Sequence, residues 1–295
     1  MIIAANNYNK LIPNIQTPDV LLVHMPCDMV GFIENLNIRC PRIAVLHETD
    51  IKRLNNKMAD ISDLINNYVG IGFRSMSIKN RFCGLTPSDI DEFIVYSGAP
   101  SLAPQKEIRN EYNKCLQILF VGKLIPRKNV HVVLRSLASV SDKLDFHFTI
   151  VGEGKEKPYL ESLTQSLELN AKVSFYSAMA REDVLKKMDE VDVFVMVSSS
   201  ETFGLVYIEA MSRGCITIGA KGEGIDGVII DGENGFLVEP DNIIMLQKCI
   251  IKIANMNHRE RVSMSKKAVC TAQNMSEEKV ADDYLNNVKK LLAHD

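Results

Sequence analysis

The sequence predicts an α/β protein built on parallel sheets, and three observations carry that reading. Short β-branched runs recur along the chain. Helical patterns fill the intervals between them, the alternation expected of doubly wound units. A polar stretch over 98–113, with two prolines and one glycine, separates the strands into two groups.

In chain order, the first group of strand patterns is Val20–His24, Ile43–His47, Tyr68–Gly72 and Glu92–Tyr96. The second is Leu116–Val121, Phe146–Val151, Val173–Tyr176, Val191–Val197 and Cys215–Gly219. Several are apolar at nearly every position, as strands covered on both faces must be. Val130–Val140 and Lys157–Leu169 read as helices between them. From Ser276 the chain opens with Ser-Glu-Glu and carries Val280, Tyr284, Leu285, Val288, Leu291 and Leu292, an amphipathic helix with an N-cap. These patterns divide the chain into a small unit over 1–105, a full-sized one over 106–275, and a terminal helix over 276–295 that crosses back to the first unit.

Composition excludes several function classes. The chain has 295 residues, 46% hydrophobic and 24% charged, enough apolar surface for real cores. Its 34 basic and 37 acidic side chains give a formal charge of −3, so no whole-protein basic field invites nucleic acid. No apolar run reaches the ~18 residues of a membrane-spanning helix. The first residues lack the basic start and long apolar region of a secretory signal. Cys27, Cys40, Cys83, Cys115, Cys215, Cys249 and Cys270 are odd in number and show no C-x-x-C spacing. Reduced thiols in a cytoplasmic protein are the expectation, and no zinc-type cluster is present.

Two segments carry chemistry. Ser198–Gly214 follows a buried strand pattern and opens a helix, and ligands of open α/β sheets sit at the carboxyl ends of strands. The backbone N–H groups near Phe203, Gly204, Leu205 and Val206 would face a ligand at the helix start, where free donors and the helix dipole suit a phosphate. Gly204 would let the backbone approach closely. Glu209, one turn further on, could accept hydrogen bonds from a ribose diol, and Glu201 from a sugar. On spacing alone, two solvated glutamates on an ordinary helix fit equally well. The second segment, Gly122-Lys123-Leu124-Ile125-Pro126-Arg127-Lys128-Asn129, also follows a strand. Lys123 and Lys128 around its proline turn could neutralise a diphosphate; a solvated basic loop is the alternative.

Together these segments, with Val151-Gly152-Glu153-Gly154 and the stretch Lys221–Pro240, resemble the GT4 family of retaining glycosyltransferases. The resemblance is dense from about 116 to 260 and runs through four motifs in order. It implies the GT-B fold, two Rossmann-like domains facing a cleft, here with a truncated N-terminal one. The 106–275 unit would bind a nucleotide-sugar (UDP- or GDP-linked). Lys123 and Lys128 would grip its diphosphate, with Lys123 standing where arginine is usual; the exchange loses a bidentate fork and keeps the charge. Glu201 would contact the donor sugar, Glu209 the ribose, and Tyr176 and Ser177 the base. The catalytic set is then Glu201, Lys128, Lys123 and His47, with Gly122 in the donor loop. No cofactor or divalent metal is implied, because the nucleotide-sugar is a substrate.

The 1–105 unit matches more loosely. Asp19–His24 and Ile43–Glu48 resemble strand ends of the family's acceptor domain, and His47 corresponds to a histidine near the sugar. A satisfied strand-end histidine is the alternative for His47, and His24 reads as structural. The family's opening strand and glycine-rich loop have no counterpart, so the first domain reads as trimmed or as completed by a partner. An exposed sheet edge tends to be covered, which suggests a homo- or hetero-oligomer.

The resemblance implies a glycan or lipid-linked acceptor, in bacterial surface polysaccharide synthesis, and peripheral contact with the inner face of the cell membrane. Lys52, Arg53, Lys57, Arg74, Lys79 and Arg81 could provide that contact, although acidic and basic residues balance over 1–110. The alternatives are a nucleotide-sugar-binding subunit inactive without a partner chain, and a nucleotide-sugar epimerase or phosphorylase on the same fold.

Overall fold

The computed structural model describes residues 18–29, 39–86, 89–100 and 115–293. Two parallel sheets organise it. The first runs in the order β1 (Leu21–His24), β2 (Arg42–Leu46), β3 (Gly70–Phe73), β4 (Asp91–Ile94). Its register aligns Leu22 with Ile43, Ala44 with Ile71 and Ile71 with Glu92. Every pair is parallel, so all four carboxyl ends lie along one edge. Helices α1 (Glu48–Asn55), α2 (Ile61–Asn67) and α3 (Met76–Cys83) make the crossovers after β2 and β3.

Alternation along β2 explains how this sheet is covered. Successive side chains point to opposite faces. Ala44 and Leu46 pack with Ile51, Leu54, Ile78 and Phe82 of α1 and α3. Ile43 and Val45 pack on the other face with Phe93, Val95 and Val288. Val288 belongs to α10 (Glu277–Ala293), the last helix, which lies across the first sheet although it follows the second in sequence. Tyr284, Leu291 and Leu292 join it there. Leu285, grouped with them by the sequence pattern, is 51% exposed and faces away. Gly70 makes the close packing possible: a Cβ there would lie 2.7 Å from a methyl of Leu291.

The second sheet has the order β10 (Phe236–Val238), β9 (Ile216–Ala220), β8 (Val193–Val195), β5 (Leu116–Val121), β6 (Phe146–Val151), β7 (Val173–Tyr176). Strand β5 pairs with β6 on one side and β8 on the other. The winding reverses between them, and crevices for ligands open at such switch points. Helices α4 (Val130–Ala138), α5 (Lys157–Ser166), α6 (Arg181–Glu190), α7 (Leu205–Ser212), α8 (Ile243–Asn255) and α9 (His258–Gln273) complete this unit. One continuous core holds it together, with Phe120, Phe146, Phe148, Phe194 and Tyr207 fully buried. Strand β10 is three residues long and escapes the sequence pattern because turns crowd it on both sides.

The chain leaves the first unit and enters α10 at one place. The Ala99 N–H donates to the Met275 carbonyl at 2.8 Å, and the Glu277 N–H donates to the Ala99 carbonyl at 3.1 Å. The linker read over 98–113 lies, from residue 101 onward, outside the described residues. The expectation of a trimmed first unit also falls partly on residues outside them. No described helix is long and apolar enough to cross a membrane.

Candidate active site

The crevice between β5 and β8 is built by two loops tied backbone to backbone. After β5, the Ile125–Asn129 turn carries a short 3-10 helix, Pro126–Lys128. Asn129 then takes a left-handed conformation (φ 52°), which its short polar side chain tolerates. Its Nδ2 donates to the Val197 carbonyl and to Ser199 Oγ, both at 2.9 Å. The Ser199 N–H donates to the Arg127 carbonyl at 2.8 Å. These bonds set the Lys128 side chain against the loop that follows β8.

Lys128 is 9% exposed, and its Nζ lies 2.5 Å from Glu201 Oε2. Burying an ammonium is costly without such a partner. Arg127 Nη1 reaches the same oxygen at 3.1 Å. Glu201 is held from its backbone too: its N–H donates to Glu223 Oε2 at 2.9 Å, and its carbonyl accepts from the Gly224 N–H at 2.8 Å. Both cations converge on Oε2, and Oε1, which no donor among the described residues meets, can accept from a ligand hydroxyl.

Helix α7 starts four residues later. Gly204 precedes it at φ 82°, a left-handed conformation that favours glycine, and a Cβ there would sit 2.8 Å from the Tyr207 ring. This glycine is therefore needed for the turn and for the packing of Tyr207; the sequence reading placed it for ligand approach. The Tyr207 N–H bonds to the Gly204 carbonyl at 3.0 Å. The N–H groups of Leu205 and Val206 find no acceptor among the described residues, as a helix start with no side-chain cap requires. Phe203 is buried and points inward, so its backbone alone can serve a ligand. Glu209 faces Arg181, whose Nε lies 2.6 Å from its Oε1.

The other predicted residues gather beyond β5 and β6. A cavity of about 360 Å³ is lined by Val121, Gly122, Lys123, Gly152, Glu153 and Met179, among others. The loops forming it touch through glycines: a Cβ on Gly152 would fall 1.9 Å from the Gly122 carbonyl oxygen. The Gly122 N–H donates to the Val151 carbonyl at 3.0 Å. Lys123 is exposed at this cavity and makes no ion pair with Glu201. Tyr176 and Ser177 are exposed at the end of β7, the outer strand on that side. A hydrogen bond from Ser177 and one from Lys157 hold the Glu153 carboxyl below its ordinary range.

The structure thus joins Lys128 to Glu201 and places Gly122 and Lys123 at the neighbouring cavity. It puts Arg127, rather than Lys123, beside Lys128 at the glutamate. The Arg127-Lys128 pair in the loop was the available signal for this. Arg181 and Glu223 were missed because they contact the site from 28 and 22 residues away, which no local pattern reports.

His47 stands apart, on the first sheet. It follows β2, and its N–H donates to Asp50 Oδ2 at 2.8 Å at the start of α1. Its Nε2 lies 3.1 Å from His24 Nδ1, which pairs the two rings. Burial, with Arg74 and His24 close by, pushes the His47 imidazole down to about 4. The basic cluster of the first unit is largely neutralised: Lys52 and Arg81 pair with Glu48, Arg53 with Asp28 and Lys79 with Glu92. A free basic face for a membrane is therefore not formed by these four. The one Asp-x-Asp sequence, Asp89-Ile90-Asp91, leads into the amino end of β4, at the sheet edge opposite the histidines.

Comparison with known proteins gives one family match. The model of the family described as "Glycosyl transferases group 1" matches residues 103–270. The glycosyltransferase MJ1607 of Methanocaldococcus jannaschii is 27% identical over 225 residues, covering 69% of this chain and 57% of that protein. The lipopolysaccharide core biosynthesis glycosyltransferase LpsE of Rhizobium meliloti is 28% identical over 169 residues, 57% of this chain and 48% of its own length. The aligned region thus spans about half the length of these relatives. Among solved structures, Anabaena HepE in complex with UDP-glucose superposes with a TM-score of 0.70 at 18% identity, covering 92% of this chain and 79% of that one. That likeness is one of fold, the GT-B arrangement of two parallel α/β units.

Proposed function

This chain belongs to the glycosyl transferases group 1 family, and on that premise we propose that it transfers a hexose-type sugar from a UDP- or GDP-linked donor to a glycan or lipid-linked acceptor, with retention at the anomeric carbon. The observation that carries the reading is the Lys128–Glu201 contact at the switch point, beside the free N–H groups of Leu205 and Val206. The 360 Å³ cavity next to Gly122 takes the nucleoside, with Tyr176 and Ser177 toward the base and Glu209 toward the ribose. The diphosphate lies on the α7 start, within reach of Lys128, Arg127 and Lys123. Glu201 Oε1 accepts from a sugar hydroxyl.

Catalysis follows as leaving-group stabilisation. The bond between the anomeric carbon and the phosphate oxygen breaks, and its electron pair departs with the diphosphate. The acceptor hydroxyl bonds to that carbon from the same face and gives its proton to the leaving phosphate. Charge grows on the diphosphate in the transition state, so Lys128, Arg127, Lys123 and the α7 amides lower the barrier more than they favour the bound ground state. The HepE complex with UDP-glucose and the lipopolysaccharide role named for LpsE support a nucleotide-sugar donor and an acceptor in surface polysaccharide synthesis.

The test is to incubate the protein with UDP- and GDP-linked hexoses and candidate acceptors and to follow nucleotide release. Glu201→Ala and Lys128→Ala should each strongly reduce transfer, and full activity in both would refute the assigned roles. Calorimetric donor binding without turnover, with turnover restored by a second chain, would point instead to a donor-binding subunit.

A further inference from the structure

Each strand of the first sheet delivers one polar side chain to the same edge. His24 ends β1, His47 follows β2, Arg74 follows β3, and Ser97 lies beyond β4. They form a connected row. The Arg74 N–H donates to the Leu46 carbonyl at 3.2 Å, next to His47. Arg74 Nη2 donates to Ser97 Oγ. His24 and His47 meet at 3.1 Å, and the Tyr284 hydroxyl lies 3.5 Å from His24 Nε2.

Arg74 differs from four other basic residues of this unit. Lys52, Arg53, Lys79 and Arg81 each have a carboxylate partner. Arg74 is half-buried, its Nε is fully buried with no hydrogen-bond acceptor, and it forms no ion pair among the described residues. The buried Nε without an acceptor carries an uncompensated cost, and no carboxylate among the described residues neutralises the guanidinium. Its planar fork matches a carboxylate or a phosphate. The imidazoles beside it are held below their ordinary range, His47 by burial, Arg74 and His24, and His24 by burial and Arg74. Each neutral ring carries one N–H; the His24–His47 hydrogen bond uses one of the two, which leaves one donor for a ligand.

The row faces the proposed donor site. Ser77, three residues after Arg74, donates its hydroxyl to the Gly222 carbonyl of the second unit. The Tyr96 ring, adjacent to Ser97, stacks at 5.6 Å from Phe203, which lies between Glu201 and Gly204. An anion on Arg74 therefore sits on the acceptor side of the cleft, across from the loop that would hold the sugar.

We propose that Arg74, with Ser97 and the His24–His47 pair, binds a carboxylate or phosphate-monoester group carried by the acceptor. Its role as an acceptor site rests on the transfer reading above, while the anion site itself does not. The test uses the full chain and nuclear magnetic resonance of its histidine rings. Inorganic phosphate and acetate are titrated separately, with chloride holding ionic strength constant. The His24 and His47 ring signals should shift saturably, while those of His131 and His147 stay in place. A response to acetate identifies the carboxylate, and a response to phosphate the phosphoryl group.

Arg74→Gln should weaken the response about 10- to 100-fold, the weight of a hydrogen bond to a charged group, and Arg74→Lys less so. Should Arg74→Gln fail to fold, Ser97→Ala, which removes the tether of the guanidinium, takes its place and should also weaken the response. Absence of any shift in the unaltered protein, or an undiminished response in a folded variant, overturns the site. Calorimetry with UDP- and GDP-linked hexoses on the same samples separates the two readings. Anion binding that persists where no nucleotide-sugar binds upholds the site and refutes the donor assignment.

Discussion

Lys128 and Glu201 stand 73 residues apart in the chain and 2.5 Å apart in space. Arg127 shares the same carboxylate oxygen from a more exposed position, with 45% of its side chain in solvent against 11% for Lys128. The two cations should therefore contribute unequally. Lys128→Ala should lower kcat/KM for sugar transfer by about 10²- to 10³-fold, the scale of losing a pre-set charge stabiliser. Arg127→Ala should cost about tenfold or less, as solvent screens its pair. Steady-state nucleotide release measures both, and equal losses would contradict the burial argument.

Gly152 and Gly222 offer a paired test of what holds the donor loops. A Cβ at Gly152 meets the Gly122 carbonyl oxygen at 1.9 Å, whereas one at Gly222 meets nothing within 4 Å. Gly152→Ala should destabilise the protein by about 3 kcal/mol, because backbone must move. Gly222→Ala, at φ 74°, should cost about 1–2 kcal/mol from the left-handed conformation alone. Urea unfolding gives both numbers.

His47 links stability to acidity. Its ordinary value is 6.5 and the folded protein pushes it to about 4. Between these values the unfolded chain binds a proton that the folded one refuses, so stability falls as pH is lowered from about 6.5 to 4. The ring is only partly buried, and solvent screening limits the loss to about 1–2 kcal/mol. Denaturation midpoints of the parent and His47→Gln across this window should converge at the acidic end; parallel curves would count against the assignment.

Helix α10 binds the fate of the first sheet to the end of the chain. Val288 is 5% exposed against Ile43, Val45, Phe93 and Val95. Val288→Asp should cost about 3 kcal/mol by placing a carboxylate in this apolar layer. Hydrogen exchange should rise along β1–β4 and far less along β5 and β8. Uniform loss of protection across both sheets would mean that the two cores unfold together.

Much of the architecture was legible in the residues. The apolar runs gave the strands of both sheets, since strands covered on two faces leave unbroken hydrophobic segments. The Glu201–Glu209 and Gly122–Asn129 segments marked the two loops of the crevice through their resemblance to the family's motifs, since spacing alone left a solvated helix and a solvated basic loop open. Strand β10 and the exposure of Leu285 were not legible, the first for its shortness and the second because helical periodicity does not say which flank meets a neighbour.

What the sequence alone determined is the local grammar: which segments are strands, where loops follow them, and which charged residues those loops carry. The tertiary structure alone decided the partnerships. It set Arg127 beside Lys128 on one oxygen of Glu201, Arg181 on Glu209, His24 on His47, and Arg74 at a strand end with no carboxylate among the described residues. The reason is physical. Strand and turn preferences act over a few residues, whereas the energy of a charge depends on which distant groups the fold brings within about 4 Å and on how much water it removes.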